Sequence, residues 1–241
     1  MSRFFANPRD ITGDQVFLDP ETLSHLRVLR LKPNETFIIC DGEGTDHTCI
    51  FHTCPLDGEL AQIISSAPNE AEPPIDCAVY LAYTRGERMD YAIQKSVEMG
   101  ATRIILFPSE RCVAKYEDKA LPKKRARWEK IAEEAAKQSG RGRIPEMETL
   151  TSFKEAMKQA AEADRPLFFY EGEQNRTLRM ALEPKPKGVS LIIGPEGGFA
   201  ERERDLAMEL GLIPVTLGKR ILRCETAPIA ALAGVMLYLE D

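Results

Sequence analysis

The chain reads as an α/β protein in two parts: a small N-terminal β-barrel, then a larger, mostly parallel sheet flanked by helices. Three observations predict this. Short β-type runs separated by turn clusters fill the region up to about residue 67, and a proline-rich stretch follows at 67–74. Beyond residue 75, near-continuous apolar runs alternate with helical segments that stop at glycine. Strands of that kind imply a parallel sheet covered on both faces.

In the first part, β-type runs fall at 15–18, 36–40, 48–51 and 60–64. The turn clusters Asp41-Gly42-Glu43-Gly44 and Pro55-Leu56-Asp57-Gly58 separate them, and a helical piece covers 20–31. Several short strands with glycine-rich turns predict a small barrel. Ala67 to Pro74 reads as a linker stiffened by proline, so the domains are expected at 1–70 and 75–241.

In the second part, strands are predicted at 77–83, 103–107, 166–170, 189–193 and 213–216. Helices are predicted at 87–99, 122–139, 152–163 and 201–210, with Gly100, Gly140 and Gly211 placed as left-handed caps. A last helix at 228–239 begins at Pro228. Its residues Ile229, Ala230, Ala231, Leu232, Ala233, Val235, Met236 and Leu237 are apolar all round, a pattern that predicts full burial. Such a helix needs a cover, from the chain wound around it or from another subunit.

Composition bounds the function. The chain has 241 residues, 43% hydrophobic and 29% charged, as in an ordinary globular protein. No run approaches the roughly 20 apolar residues of a membrane span. The first residues have no apolar signal core. Cys40, Cys49, Cys54, Cys77, Cys112 and Cys224 are scattered without a C-x-x-C, which predicts reduced thiols in a cytoplasmic protein. The net charge of −6 hides an uneven distribution, since nine basic residues stand against three acids between Lys119 and Arg143. Phosphate binding depends on such a local face, so an RNA partner is compatible with the acidic total. The helix in this window has Trp128, Ile131, Ala132 and Ala135 on one face and cations on the other. Gln138, Arg141 and Arg143 cluster past its end as candidate RNA contacts, with Arg3, Arg27 and Arg30 in the first part. His47, Cys49, His52 and Cys54 are metal-type ligands, but H-x-C-x-x-H-x-C is not a zinc spacing, and they read as ordinary strand residues.

The chemistry concentrates in two late turns. The apolar run 189–193 empties into Gly194-Pro195-Glu196-Gly197-Gly198-Phe199, and a second run ends in Leu217-Gly218-Lys219-Arg220-Ile221-Leu222-Arg223-Cys224-Glu225-Thr226-Ala227-Pro228. Glycine weakens ordered structure unless a positive φ or a close backbone approach requires it. Turns at the carboxyl ends of parallel strands are also where open α/β sheets bind ligands. A dinucleotide fingerprint belongs to a first βα turn, and this one follows the fourth strand; no G-x-x-x-x-G-K-[ST] occurs. Arg220, Arg223 and Glu225 precede an apolar helix, a poor place for idle surface charge.

Together these turns resemble the SPOUT methyltransferases, and the fuller pattern resembles their RsmE family. The match is carried by His25-Leu26-Arg27-Val28-Leu29-Arg30, by Met89 to Gly100, by Arg127-Trp128-Glu129-Lys130-Ile131 running on to Glu134–Arg141, and by the two late turns. Met99 and Arg85 depart from the family's usual Leu and Lys. The resemblance implies a PUA-like, RNA-binding barrel, a trefoil-knotted α/β domain and a homodimer. It implies methylation of N3 of a uridine in 16S ribosomal RNA, free or in the small ribosomal subunit, with S-adenosylmethionine as cofactor. It further implies cofactor contacts from Tyr170, Glu171, Gly172, Ile193, Gly194, Pro195, Glu196, Gly197 and Gly198. Leu217, Gly218, Ile221, Leu222, Arg223, Thr226 and Ala227 complete that set, and Arg223 and Glu225 are the candidate catalytic pair. Two alternatives stay open: another RNA such as tRNA as methyl acceptor, or a non-catalytic RNA-binding ribosome-assembly protein on the same fold.

Overall fold

A computed structural model describes residues 2–52, 60–114, 116 and 119–240. The chain forms two compact units, Met1–Glu72 with Ala136–Ile144, and Pro73–Ala135 with Pro145–Asp241.

In the first unit, β1 (Arg3–Phe5), β2 (Ile11–Thr12), β3 (Gln15–Phe17), β4 (Phe37–Cys40), β5 (Thr45–Ile50) and β6 (Leu60–Pro68) form one sheet in the order β1-β4-β5-β6-β3-β2. The β1–β4 pair is parallel and the others antiparallel. β1 and β2 are too short to read from pattern, and β6 takes in Ala67 and Pro68, so the linker starts later than expected. Helix α1 (Pro20–Leu29) starts where Asp19 accepts from the N–H groups of Glu21 and Thr22 at 2.8 and 2.9 Å, a side-chain cap that satisfies two orphan donors. Its Leu23 and Leu26 enter a core with Phe4, Val16, Phe37 and Ile39. A register shift between Thr48 and Cys49 turns both Cys49 and Ile50 inward. A bulge breaks the two-residue alternation in this way, so His47 and Cys49 do not share an environment.

The second unit carries β7 (Asp76–Ala82), α2 (Glu87–Glu98), β8 (Arg103–Phe107), α3 (Leu121–Ser139), β9 (Glu146–Thr149), α4 (Phe153–Ala160) and β10 (Arg165–Phe169). Then come α5 (Leu178–Leu182), β11 (Gly188–Ile193), α6 (Glu201–Glu209), β12 (Ile213–Val215) and α7 (Ala227–Glu240). The end of α3 and the loop after it belong to the first unit. Every strand pair is parallel, in the order β12-β10-β11-β7-β8-β9. The five expected strands and five expected helices form within a few residues of their predicted bounds. β9 escaped because Glu146-Met147-Glu148-Thr149 is a polar edge strand, and α5 because five residues carry no helical period.

The expected full burial of α7 is not what the single chain shows. Ala231, Leu232, Val235 and Met236 are buried, whereas Leu237 is 69% exposed and Ile229, Ala230 and Ala233 are half-buried. One face packs on α2, α5 and β11, and the other is apolar and only partly covered. Gly100, just past α2, has φ +93°, and a Cβ there would lie 3.0 Å from Met236 Cε. Gly100→Ala is expected to destabilise the fold by about 2 kcal/mol, because the left-handed backbone and the displaced methionine both oppose it. Gly188→Ala is the control: its Cβ would meet Asp76 O at an ordinary 3.5 Å, with an expected change within about 0.5 kcal/mol. Urea midpoints of the two variants check both values.

Candidate functional site

The second unit holds a cavity of about 870 Å³, within the size range of small-molecule sites. It opens where β10, β11 and β12 end: Tyr170 and Glu171 follow β10, Gly194 to Glu196 and Gly198 follow β11, and Leu217 to Glu225 follow β12. Of the residues expected around a cofactor, Tyr170, Glu171, Ile193, Gly194, Pro195, Glu196, Gly198, Leu217, Gly218, Ile221, Leu222, Arg223 and Ala227 line it, as does Glu225.

Gly172, Gly197 and Thr226 are not on the wall. A Cβ on Gly172 would come within 2.4 Å of the Tyr170 ring, and one on Gly197 within 3.1 Å of Arg111 Cβ. Both glycines make room for a neighbouring side chain. Thr226 donates its N–H to Arg223 O at 2.9 Å, in the turn that opens α7. Gly194 also serves packing, since a Cβ there would press on the Phe199 ring at 3.0 Å. Phe199 in turn stacks on Phe168 at 4.4 Å. Gly218 differs: its φ is +101° and a Cβ would meet nothing within 4 Å. There the backbone itself faces open space.

Two residues of the site carried no signal that the sequence reading picked up. Arg88, on the first turn of α2, lies between carboxylates, with Nη1 at 3.4 Å from Glu196 Oε1 and Nε at 4.0 Å from Glu225 Oε1. Glu196 Oε1 also accepts from the Arg85 N–H at 3.3 Å. Glu203 is buried behind the glycine turn. Its Oε2 accepts from Ala200 N and Ser109 Oγ, both at 3.0 Å, and its Oε1 from Glu110 N at 2.8 Å. A Glu three residues into a helix can bond back to the residue before it, but Ala200 in place of Ser or Thr hid that signature.

Burial pushes the Cys224 thiol up to about 12, and its bond to Glu225 adds to this. Cys224 therefore stays a thiol and donates to Glu225 Oε2 at 3.1 Å. Burial works against ionising Glu225, yet its own N–H, the Cys224 donor and the charges of Arg88 and Arg223 hold its carboxyl below the usual range. At neutral pH Glu225 is an anion and a weakened base.

In the first unit, three of the expected RNA contacts are engaged internally. Arg3 pairs with Asp46 at 2.7 Å. The Arg141 side chain is 3% exposed and grips Glu72 through two bonds of 3.2 and 2.8 Å. Arg143 donates to Glu43 O through Nε and Nη2 at 3.0 and 2.7 Å. Arg3 and Arg141 are thus committed to carboxylates rather than free for phosphate, which corrects the sequence expectation for those two. Arg143 is exposed, and among the described residues its side chain bonds only to a backbone carbonyl, so its charge stays uncompensated. Arg27, Arg30 and Gln138 are exposed. His47 bonds to Ser66 and His52 to Asn34 and Gln62. Cys54 lies outside the described residues, among which no metal-type cluster occurs.

Comparison with known proteins agrees with this geometry. The RNA methyltransferase domain family matches residues 71–236, and the RNA methyltransferase PUA domain family matches residues 18–51. Ribosomal RNA small subunit methyltransferase E of Bacillus subtilis is 32% identical over 100% of this chain and 98% of its own. The protein of the same name from Mesomycoplasma hyopneumoniae is 34% identical over 95% and 96%. A crystal structure of ribosomal RNA small subunit methyltransferase E from Neisseria gonorrhoeae, bound to S-adenosyl methionine, superposes with a TM-score of 0.87 at 35% identity, covering 99% of this chain and 98% of that one. The chain therefore belongs to the ribosomal RNA small subunit methyltransferase E family of RNA methyltransferases.

Proposed function

We propose that this protein uses S-adenosylmethionine to methylate N3 of a uridine in small-subunit ribosomal RNA, acting in the cytoplasm. One observation carries the reading: the cavity at the ends of β10, β11 and β12 joins an open backbone turn to carboxylates and arginines, in a chain whose full-length relatives bear that methyltransferase name.

The residues present fit the cofactor. Gly218 leaves backbone uncovered beside the cavity, suited to adenosine through main-chain groups of Leu217, Ile221 and Leu222 and of the Tyr170-Glu171-Gly172 stretch. Glu171, Glu196 and Glu225 line the same space and suit a ligand that bears positive charge. When bound, the cofactor supplies an electrophilic methyl group. The protein then has to orient the uracil nitrogen and stabilise the anion left when the imide proton passes to a water molecule. Positioning accounts for most of such an in-line transfer, and Arg223 on the cavity wall is the group assigned to the anion. The N-terminal unit, residues 1–70 in the sequence division, is read as the RNA-binding arm, with 75–241 as the knotted transferase. In this reading Arg27, Arg30, Gln138 and Arg143 serve the RNA, since Arg3 and Arg141 are paired with carboxylates.

The direct test is mass spectrometry of ribosomal RNA from cells lacking the protein, where N3-methyluridine is expected to be missing. Methyl transfer to tRNA, or no saturable cofactor binding by calorimetry, would overturn the reading. For Arg223→Gln we expect kcat to fall about 100-fold while the cofactor Kd stays within about threefold. Equal losses in both would remove Arg223 from the chemistry. The partly covered apolar face of α7, with Leu237 69% exposed, supports a homodimer. Light scattering should return twice the chain mass, and Leu237→Glu should return the monomer.

A further inference from the structure

We propose that Lys219, Arg220 and Ile221 form a rim that seats the RNA strand on either side of the nucleotide entering the cavity. The inference rests on the RNA methyl transfer proposed above. It assigns a part to the side chains of Lys219 and Arg220, which that reading leaves unused, and to the side chain of Ile221, of which it uses only the main chain. All three side chains are exposed on the loop between β12 and α7, and all three line the cavity. Ile221 is 85% exposed. Among the described residues, Lys219 and Arg220 make no ion pair and no side-chain hydrogen bond.

The charges on this loop differ in their partners, although Lys219, Arg220 and Arg223 are all exposed. Arg223, two residues beyond Ile221, acts on the charge of Glu225 and helps to hold it. Lys219 and Arg220 have no such carboxylate, so their fields extend from the cavity into solvent. A base that reacts inside a cavity has to leave its stack, and its neighbours' phosphates then come to rest at the entrance. Two unpaired cations followed by one bare aliphatic side chain match that arrangement, with charge for the phosphates and an apolar surface for the unstacked base beside the target. The Gly218 and Thr216 pair fixes the prong, since Gly218 N donates to Thr216 Oγ1 at 3.1 Å. The occupant is a single strand of RNA.

Binding of a fluorescein-labelled, uridine-containing single-stranded oligoribonucleotide, followed by anisotropy between about 50 and 200 mM salt, tests this. The Lys219→Gln/Arg220→Gln variant should bind about 10-fold more weakly, with a log K against log salt slope shallower by about 1.4, the effect of two phosphate contacts on a single strand. Its calorimetric Kd for S-adenosylmethionine should match that of the wild type. Ile221→Ala should weaken RNA binding with the slope unchanged, because it removes contact area and no charge. The proposal is overturned if the double variant keeps wild-type RNA affinity and slope, if cofactor affinity falls in step with RNA affinity, or if the variant changes mass by light scattering, which would place the rim between two copies. These titrations need no turnover. A wild-type protein that binds the oligonucleotide but methylates no uridine would defeat the proposed function and leave the rim standing.

Discussion

Parallelism is the constraint on which the rest of the second unit depends. With all six strands pointing one way, every carboxyl end lies on the same edge, and every return must cross a face as a helix. The turns after β10, β11 and β12 have to meet, because those strands are neighbours in the order β12-β10-β11-β7. The loop after β7 joins them from the next position, which is how the Arg85 N–H and the Arg88 side chain reach Glu196 across more than a hundred residues. The cavity is thus a consequence of strand order, and the side chains on its wall are the part open to choice.

The glycine turn after β11 is shaped from behind. Phe199 fills the space that a side chain at Gly194 would need, stacking on Phe168 and meeting Phe153 edge-on. Glu203 ties the same turn to the loop after β8. A buried carboxylate is costly unless its oxygens are satisfied, and three donors from Ala200, Ser109 and Glu110 satisfy this one. A stretch rich in glycine is therefore held still. Its small residues serve close packing more than freedom of motion, and only Gly218, on the other turn, leaves backbone open to the cavity.

Legibility in the sequence followed the range of the interaction. Strands such as Val79 to Leu81, apolar on both faces, announced themselves, and so did helices ending at Gly100, Gly140 and Gly211. The two site loops were legible because glycine, proline and charge crowded together there. Arg88 and Glu203 were not, since each sits on an ordinary helix and acquires its role only through a partner about a hundred residues away. Arg141 failed for the same reason in the opposite direction. Among nearby cations it looks like a phosphate ligand, but Glu72, far off in sequence, buries it. Gly142 belongs to that docking, because a Cβ there would lie 2.6 Å from Asn69 Cβ. A charge run in sequence does not distinguish cations that face solvent from those that pin a segment.

The electrostatics of the cavity also bear on how the proposed reaction divides its work. Cys224, pushed up to about 12 by burial, cannot serve as a thiolate, and its hydrogen is committed to Glu225. Glu225, held ionised by that hydrogen bond and by Arg88 and Arg223, has given up basicity in exchange for a fixed place. A carboxylate so held is a poor choice to remove a proton from a weakly acidic imide. The demand on the protein then shifts from pulling the proton away to stabilising what remains, which is an anion delocalised over the uracil carbonyls. That task requires positive charge already in position and needing no rearrangement. In the proposed reaction that charge comes from Arg223 on the cavity wall, which makes no ion pair of its own among the described residues, while Glu225 is paired with Arg88.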